Sequence, residues 1–140
     1  MKPEIKKRWI EALLSGEYKQ GNGYLRKDIG DDSFFCCLGV LCDLYIKDVG
    51  SIWCTDLEAT KISDSDYCFI YSVENSIDYA FIPEEVMIWS GLTESDPEVT
   101  HIIETIDEDG NFEEENQTLS HLNDIGYKFK RISEIIEENM

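Results

Sequence analysis

Two adjacent cysteines and a histidine are the residues best suited to covalent chemistry in this chain. Cys36 and Cys37 lie near the start of a predicted helix, where the helix dipole lowers the pKa of a thiol. His101 lies in a predicted strand about sixty residues later and has the side chain of a general base. Together they would form a thiol nucleophile with its base.

A structural role competes with this catalytic one. The stretch resembles the Cys-x-Gly helix start of bacterial cell-wall cysteine peptidases, but in that family Asp precedes the catalytic Cys, whereas Phe35 or Cys36 stands there here. Thiols inside an apolar run behave as small buried hydrophobic groups. We therefore predict no enzyme activity and keep, as the alternative, a cysteine-dependent hydrolase that uses Cys36 or Cys37 with His101.

The cysteine and histidine content does not indicate a metal site. The five cysteines form no C-x-x-C pair, and the chain has only two histidines, so we predict neither a zinc tetrad nor a cofactor. Residues 107–111 have the spacing of a calcium loop, but its sixth position would be Phe112 and its twelfth Thr118. A solvated hairpin with an Asp-Gly turn is the better interpretation.

Charge is distributed very unevenly along the 140 residues. Residues 1–61 contain nine Lys/Arg and ten Asp/Glu, whereas residues 62–127 contain seventeen Asp/Glu and no Lys or Arg. The last thirteen residues contain three of each sign, so nearly all of the net charge of −18 lies in the middle of the chain. Such a field repels nucleic acid and anionic membranes and attracts basic partners.

This acidic segment predicts a protein-binding surface. Duplex DNA presents a negative charge about every 1.7 Å along its axis, and a cation-free folded surface can imitate that field for a basic cleft. The alternative is that the acidity serves only solubility. The predicted binding surface comprises Asp96, Glu98, Glu104, Asp107, Glu108, Asp109, Glu113, Glu114 and Glu115.

The elements that position these residues are organised around one apolar run at residues 34–47, which we predict to be a buried helix. Asp31, Asp32 and Ser33 are its candidate N-caps, and Gly39 indicates close approach of another backbone. We predict a helix over 4–15, short strands forming an antiparallel sheet within 51–82, a short helix over 84–90, a strand over 99–106 and a helical hairpin over 118–138. The fold class is therefore α+β, in one domain of 140 residues.

Several blocks of the chain resemble a family of small uncharacterised proteins of tailed bacteriophages and some bacteria. They are SGEYKQ at 15–20, FCCLGVLCDL at 35–44 and LxxLNDxGxxF at 119–129, with a weaker block at 82–92. The resemblance covers about half of the chain and leaves out 46–81 and 93–117. It implies no activity, only a setting: an accessory protein that acts in the host cytoplasm.

We therefore predict an accessory protein that binds a basic host protein or complex, as a nucleic-acid mimic or counter-defence inhibitor. No apolar run approaches the roughly 18 residues of a membrane span, and no direct contact with nucleic acid is expected. A small-molecule pocket lined by Trp53, Tyr71 and Trp89 is a further alternative, although no feature of the sequence makes these side chains converge.

Overall fold

Helix α2 (Cys37–Val49) lies at the centre of the core. The computed structural model describes residues 1–29, 31–50, 52–54, 68–70, 72–73, 81–106 and 108–140. Residues 37–43 of α2 are buried, as are Tyr45 and Ile46. The helix ends at Gly50, which adopts the left-handed conformation (φ 71°) that glycine tolerates. A helix that is apolar on all sides must be covered on all sides, and the predicted central helix is confirmed.

The start of this helix differs from the prediction. Asp32–Phe35 forms strand β3, and Cys36 is the N-cap, where its Sγ accepts a hydrogen bond from the backbone N–H of Gly39 (3.4 Å). The predicted start at residue 34 and the predicted caps at Asp31, Asp32 and Ser33 were therefore wrong. Phe34 and Phe35 continue the apolar composition of the helix without a break, so composition alone does not mark the boundary.

Three other helical segments cover α2. Helix α1 (Pro3–Leu14) buries Ile5, Trp9 and Leu13, and the Trp9 indole N–H donates to the carbonyl of Cys37 at 2.9 Å. Helix α3 (Glu84–Ser90) has the predicted bounds, contacts α2 and is followed by Gly91 as its C-cap. The C-terminal hairpin of α4 (Leu119–Asp124) and α5 (Phe129–Asn139) is confirmed, and α5 packs against α1.

The strands form small sheets beside this helical core. Strands β1 (Lys19–Gln20), β3, β2 (Arg26–Ile29) and β6 (Ser72–Val73) lie side by side in that order. Only β2 and β3 are antiparallel in this sheet, and β4 (Ile52–Cys54) pairs in parallel with β5 (Cys68–Ile70).

The α+β class is confirmed, but the described strands within 51–82 do not pair antiparallel as predicted. Antiparallel pairing occurs instead in β2–β3 and in a long hairpin of β7 (Glu98–Ile106) and β8 (Phe112–Thr118). The remainder of 51–82, apart from residues 81 and 82, lies outside the described residues.

Gly39 allows the backbone of α2 to contact the segment before β2. A Cβ atom at this position would lie 1.6 Å from the carbonyl oxygen of Leu25 and 2.6 Å from its carbonyl carbon. Leu25 is itself buried, and its carbonyl accepts from the N–H of Cys36 at 3.3 Å. The predicted close approach of another backbone to Gly39 is confirmed.

Candidate functional site

The β7–β8 hairpin and the turn between its strands, residues 98–118, form the acidic arm. The register pairs Glu98 with Thr118 and His101 with Glu115, and it shifts between Ile102 and Ile106. Val99 and His101 are buried against the core, whereas Glu98, Thr100 and Glu115 are exposed. The arm contains eight Asp or Glu residues and no Lys or Arg. It therefore presents negative charge on a two-stranded scaffold.

The predicted binding residues are distributed along this arm, with one exception. Glu104 lies in β7, Glu113 and Glu114 in β8, and Glu108 and Asp109 in the exposed turn. Asp107 lies outside the described residues. The exception is Asp96, whose carboxylate accepts hydrogen bonds from the backbone N–H (3.0 Å) and the hydroxyl of Ser120, near the start of α4. Asp96 thus has a structural role in addition to its charge.

Several charges outside the arm are paired with one another. Arg8 and Asp48 form a bidentate pair at 2.7 and 2.8 Å, and Lys6 lies 3.2 Å from Glu137. By contrast, Glu98, Glu108 and Glu115 form no ion pair with any residue that the structure describes. The negative charges of these three carboxylates are therefore available to interact with solvent or with a partner. Further ion pairs are Lys7–Glu11, Lys19–Asp32, Arg26–Asp28, Lys47–Asp43 and Arg131–Glu134.

The two candidate nucleophiles are buried structural thiols. Cys36 is 3% exposed, and desolvation raises its pKa from the ordinary value of 9.0 to about 12. Cys37 is fully buried, and the same desolvation raises its pKa well above the ordinary range. Its thiol donates to the carbonyl of Leu119 at 3.5 Å. Burial therefore suppresses the thiolate that a nucleophile requires.

His101, the candidate base, has a different neighbour. Its Nε2 lies 3.2 Å from the hydroxyl of Tyr127, and the two rings meet edge to face with centroids 5.5 Å apart. No hydrogen bond among the described residues joins this imidazole to Cys36 or Cys37. The described contact of the imidazole is therefore with Tyr127.

A buried carboxylate was missed by sequence reasoning. Asp43 on α2 accepts hydrogen bonds from the hydroxyl of Tyr18 (2.6 Å) and the indole N–H of Trp53 (2.9 Å), and it pairs with Lys47 (2.8 Å). Burial acts to raise the pKa of Asp43, but the hydrogen bonds from its three partners outweigh burial and hold that pKa below its ordinary value. The sequence feature that could have indicated this site was a single acidic residue within an apolar helix.

The three main blocks of the sequence resemblance meet in one polar junction. Asn123 Oδ1 accepts from the N–H of Cys37 (3.2 Å) and from the amide of Gln20 (3.0 Å). Asn123 Nδ2 donates to the carbonyl of Gly21 at 2.7 Å, and Gln20 Oε1 accepts from the N–H of Phe129 at 3.1 Å. These motif residues therefore hold the fold together, and none of them contributes a side chain to the acidic arm.

The fold and the arm define a small α+β protein with an acidic hairpin that contains no Lys or Arg. The chain belongs to the family described as a domain of unknown function (DUF8296), whose model matches residues 1–140. No curated protein and no solved structure matches it. Among the described residues, no helix has the length and apolar character needed to cross a membrane, and no group of three or more metal-binding side chains is assembled.

Proposed function

We propose that this protein is a small acidic accessory protein, of the tailed-phage type, that binds a basic host protein through its acidic arm. The proposed location, the cytoplasm of a bacterial host, is inferred from the sequence resemblance. The binding role comes from the arm itself. On this proposal the protein is not an enzyme: it acts by occupying a surface of its partner.

The observation that supports the proposal is the segregation of charge in the folded protein. The arm contains eight acids and no Lys or Arg, and exposed Glu98, Glu108 and Glu115 form no ion pair with described residues. In the helical core and the N-terminal sheet, by contrast, several acids lie beside a cation. Like charges carried by one hairpin contribute to a common negative field. A partner with a basic cleft would be attracted by this field and would associate rapidly under electrostatic steering.

The acidic run of β8 also suits imitation of a nucleic acid. Glu113, Glu114 and Glu115 are consecutive in this strand, and the arm contains no Lys or Arg. Dense negative charge without a cation is also the character of a nucleic-acid backbone. This similarity favours a partner whose basic cleft normally holds a nucleic acid, such as a host nuclease, transcription protein or defence complex.

Neither alternative function gains support from the described contacts. A thiol hydrolase would need an accessible thiolate, but Cys36 and Cys37 are buried and their pKa values are raised. A pocket lined by Trp53 and Trp89 would need these rings to converge. Trp53 instead contacts Phe35 and Asp43, while Trp89 packs on Tyr45. The third member, Tyr71, lies outside the described residues.

The test is an affinity pull-down from bacterial host lysate at low and high salt, read by mass spectrometry and followed by titration of the purified partner. We expect a basic partner that is retained at low salt and released at about 0.5 M, because salt screens exposed charges. Equal affinity at low and moderate salt would contradict the proposal.

A charge variant of the arm supplies the matched comparison. The triple change Glu98→Gln, Glu108→Gln and Glu115→Gln removes three exposed carboxylates from the arm. Each carboxylate should contribute about 0.5–1 kcal/mol to the free energy of binding the partner, so affinity should fall about 10- to 100-fold. The control makes the same charge change at exposed acids outside the arm and should retain affinity. A loss shared equally by both variants would indicate that only net charge matters. The control positions are Glu17, Glu84 and Glu138.

A further inference from the structure

The backbone of the arm has one outer edge that is already occupied. On β7, the N–H of Glu98 donates to Glu94 Oε2 at 3.1 Å, and the N–H of Thr100 donates to Asn139 Oδ1 at 3.0 Å. Both groups therefore point away from β8. In an antiparallel pair, residues whose N–H groups point outward alternate with residues that bond across the ladder. Glu98–Thr118 and Thr100–Asn116 are thus the pairs without hydrogen bonds across the ladder.

The neighbouring contact agrees with this assignment. The N–H of Leu119 donates to the carbonyl of Pro97 at 3.1 Å, so the pair that precedes Glu98–Thr118 does bond across the hairpin. The alternation then places the backbone N–H and C=O of Asn116 on the outer edge of β8, and those of Glu114 on the same edge one pair further along.

This second outer edge is open in the described part of the chain. Strand β7 is the only described strand that pairs with β8, and no described hydrogen bond reaches the outward backbone groups of Asn116. Glu115 and Asn116 are exposed. An extended edge of this kind is a template for another strand unless the chain protects it with lysine, proline or a covering element. Strand β8 contains neither lysine nor proline.

The charge of β8 selects among possible occupants. Two copies of the protein joined along this edge would bring Glu113, Glu114 and Glu115 of one copy beside those of the other, which like-charge repulsion disfavours. A strand that carries Lys or Arg would be attracted by the same residues. Like-charge repulsion therefore disfavours self-association along this edge, whereas a cationic strand could still bind there.

We propose that β8 receives an extended, basic segment of the partner protein as an added strand, through main-chain hydrogen bonds at Asn116 and Glu114. This inference deepens the proposed function and rests on it. Main-chain pairing supplies the register, and the acidic side chains select a basic segment.

The test uses a defined probe, a blocked decapeptide of alternating lysine and valine. Its matched control has the same residues but is N-methylated at backbone amides along both edges, which removes donors without changing charge. We expect the first peptide to bind at low salt and to slow amide exchange of Asn116 at least about tenfold, because the added strand bonds to that group. The N-methylated peptide has no complete edge to pair with β8 and should bind at least about tenfold less tightly.

A pair of variants examines the same edge from the protein side. Asn116→Pro removes an outward N–H without removing a bond of the β7–β8 ladder, whereas Asn116→Ala keeps the N–H. Proline should lower peptide affinity at least about tenfold, and alanine should leave it unchanged. If Asn116→Pro does not fold, the two peptides still decide the question.

The outcomes separate this inference from the proposed function. Equal binding of both peptides, no binding of either, or no protection of the Asn116 amide would overturn strand addition while leaving salt-sensitive binding of the partner intact. A dimer in sedimentation that Asn116→Pro abolishes would identify a second copy as the occupant and would also overturn the inference. Salt-insensitive binding of the partner would refute the proposed function instead.

Discussion

Replacement of Asn123 by alanine should be among the most damaging single changes outside the apolar core. Its side chain is 2% exposed and bonds to Cys37, Gln20 and Gly21. The side-chain amide of Gln20 still donates to the carbonyl of Tyr127 at 2.7 Å, so the loss of its bond to Asn123 costs little stability. The Cys37 N–H and the Gly21 C=O each lose a partner, at about 1–2 kcal/mol apiece for a buried group. The free energy of unfolding should fall by about 2–4 kcal/mol.

Urea denaturation followed by circular dichroism measures this loss, and the melting temperature should fall by about 5–15 °C. Asn116→Ala is the matched control, since Asn116 is exposed and accepts one side-chain hydrogen bond, from Thr100 at 2.7 Å. That control should lose no more than about 0.5 kcal/mol. If the two alanine variants differed by less than about 1 kcal/mol, Asn123 would not connect the three sequence blocks energetically.

Gly39→Ala should destabilise the protein by about 3 kcal/mol or more in the same urea assay, because its Cβ would meet the rigid backbone of Leu25. Native protein should leave Cys36, Cys37 and Cys42 unmodified by iodoacetamide, as mass spectrometry of digests would show, whereas urea should expose all three; native labelling of Cys36 or Cys37 would revive the hydrolase alternative. Burial raises the pKa of Cys36 from 9.0 to about 12, so the thiol ionises at lower pH in the unfolded chain than in the folded protein. Stability should therefore fall as the pH rises above about 9, which urea midpoints measured from pH 7.5 to 10 would show. A midpoint that does not change with pH would contradict the burial of this thiol. The triple arm variant should melt within about 2 °C of the wild type, and a larger loss would assign the arm a structural role.

Local sequence patterns were sufficient to predict most of the helical framework. The period of Ile5, Trp9 and Leu13 defines the buried face of α1 without reference to any other element. The start of α2 was misplaced because the aromatic residues of β3 have the same apolar character as the helix that follows. Parallel pairing of β4 with β5 joins segments about sixteen residues apart, and hydrophobic pattern does not encode such a partner choice.

The sequence predicted the negative charge of the candidate site but not its geometry. A cation-free segment is visible in the sequence, and the Asp-Gly turn indicates the hairpin that contains it. Which edge of that hairpin is occupied depends on a local contact from Glu94 and on a contact from Asn139, 39 residues away from Thr100, that no local pattern relates to the strand. Asp43 was missed for a similar reason, since two of its partners, Tyr18 and Trp53, lie on other elements.

Carboxylates have opposite roles in the two parts of this protein, and the difference explains where a partner would bind. Asp43 is enclosed by three donors, so its charge is already satisfied and a basic partner would gain little from it. Glu115 is exposed; among described residues its carboxylate receives one hydrogen bond, from the neutral amide of Gln117 at 2.7 Å, and no cation. The same unneutralised charge that repels a second copy of β8 therefore attracts a cationic strand, so protection against self-association and recognition of a partner follow from one set of residues.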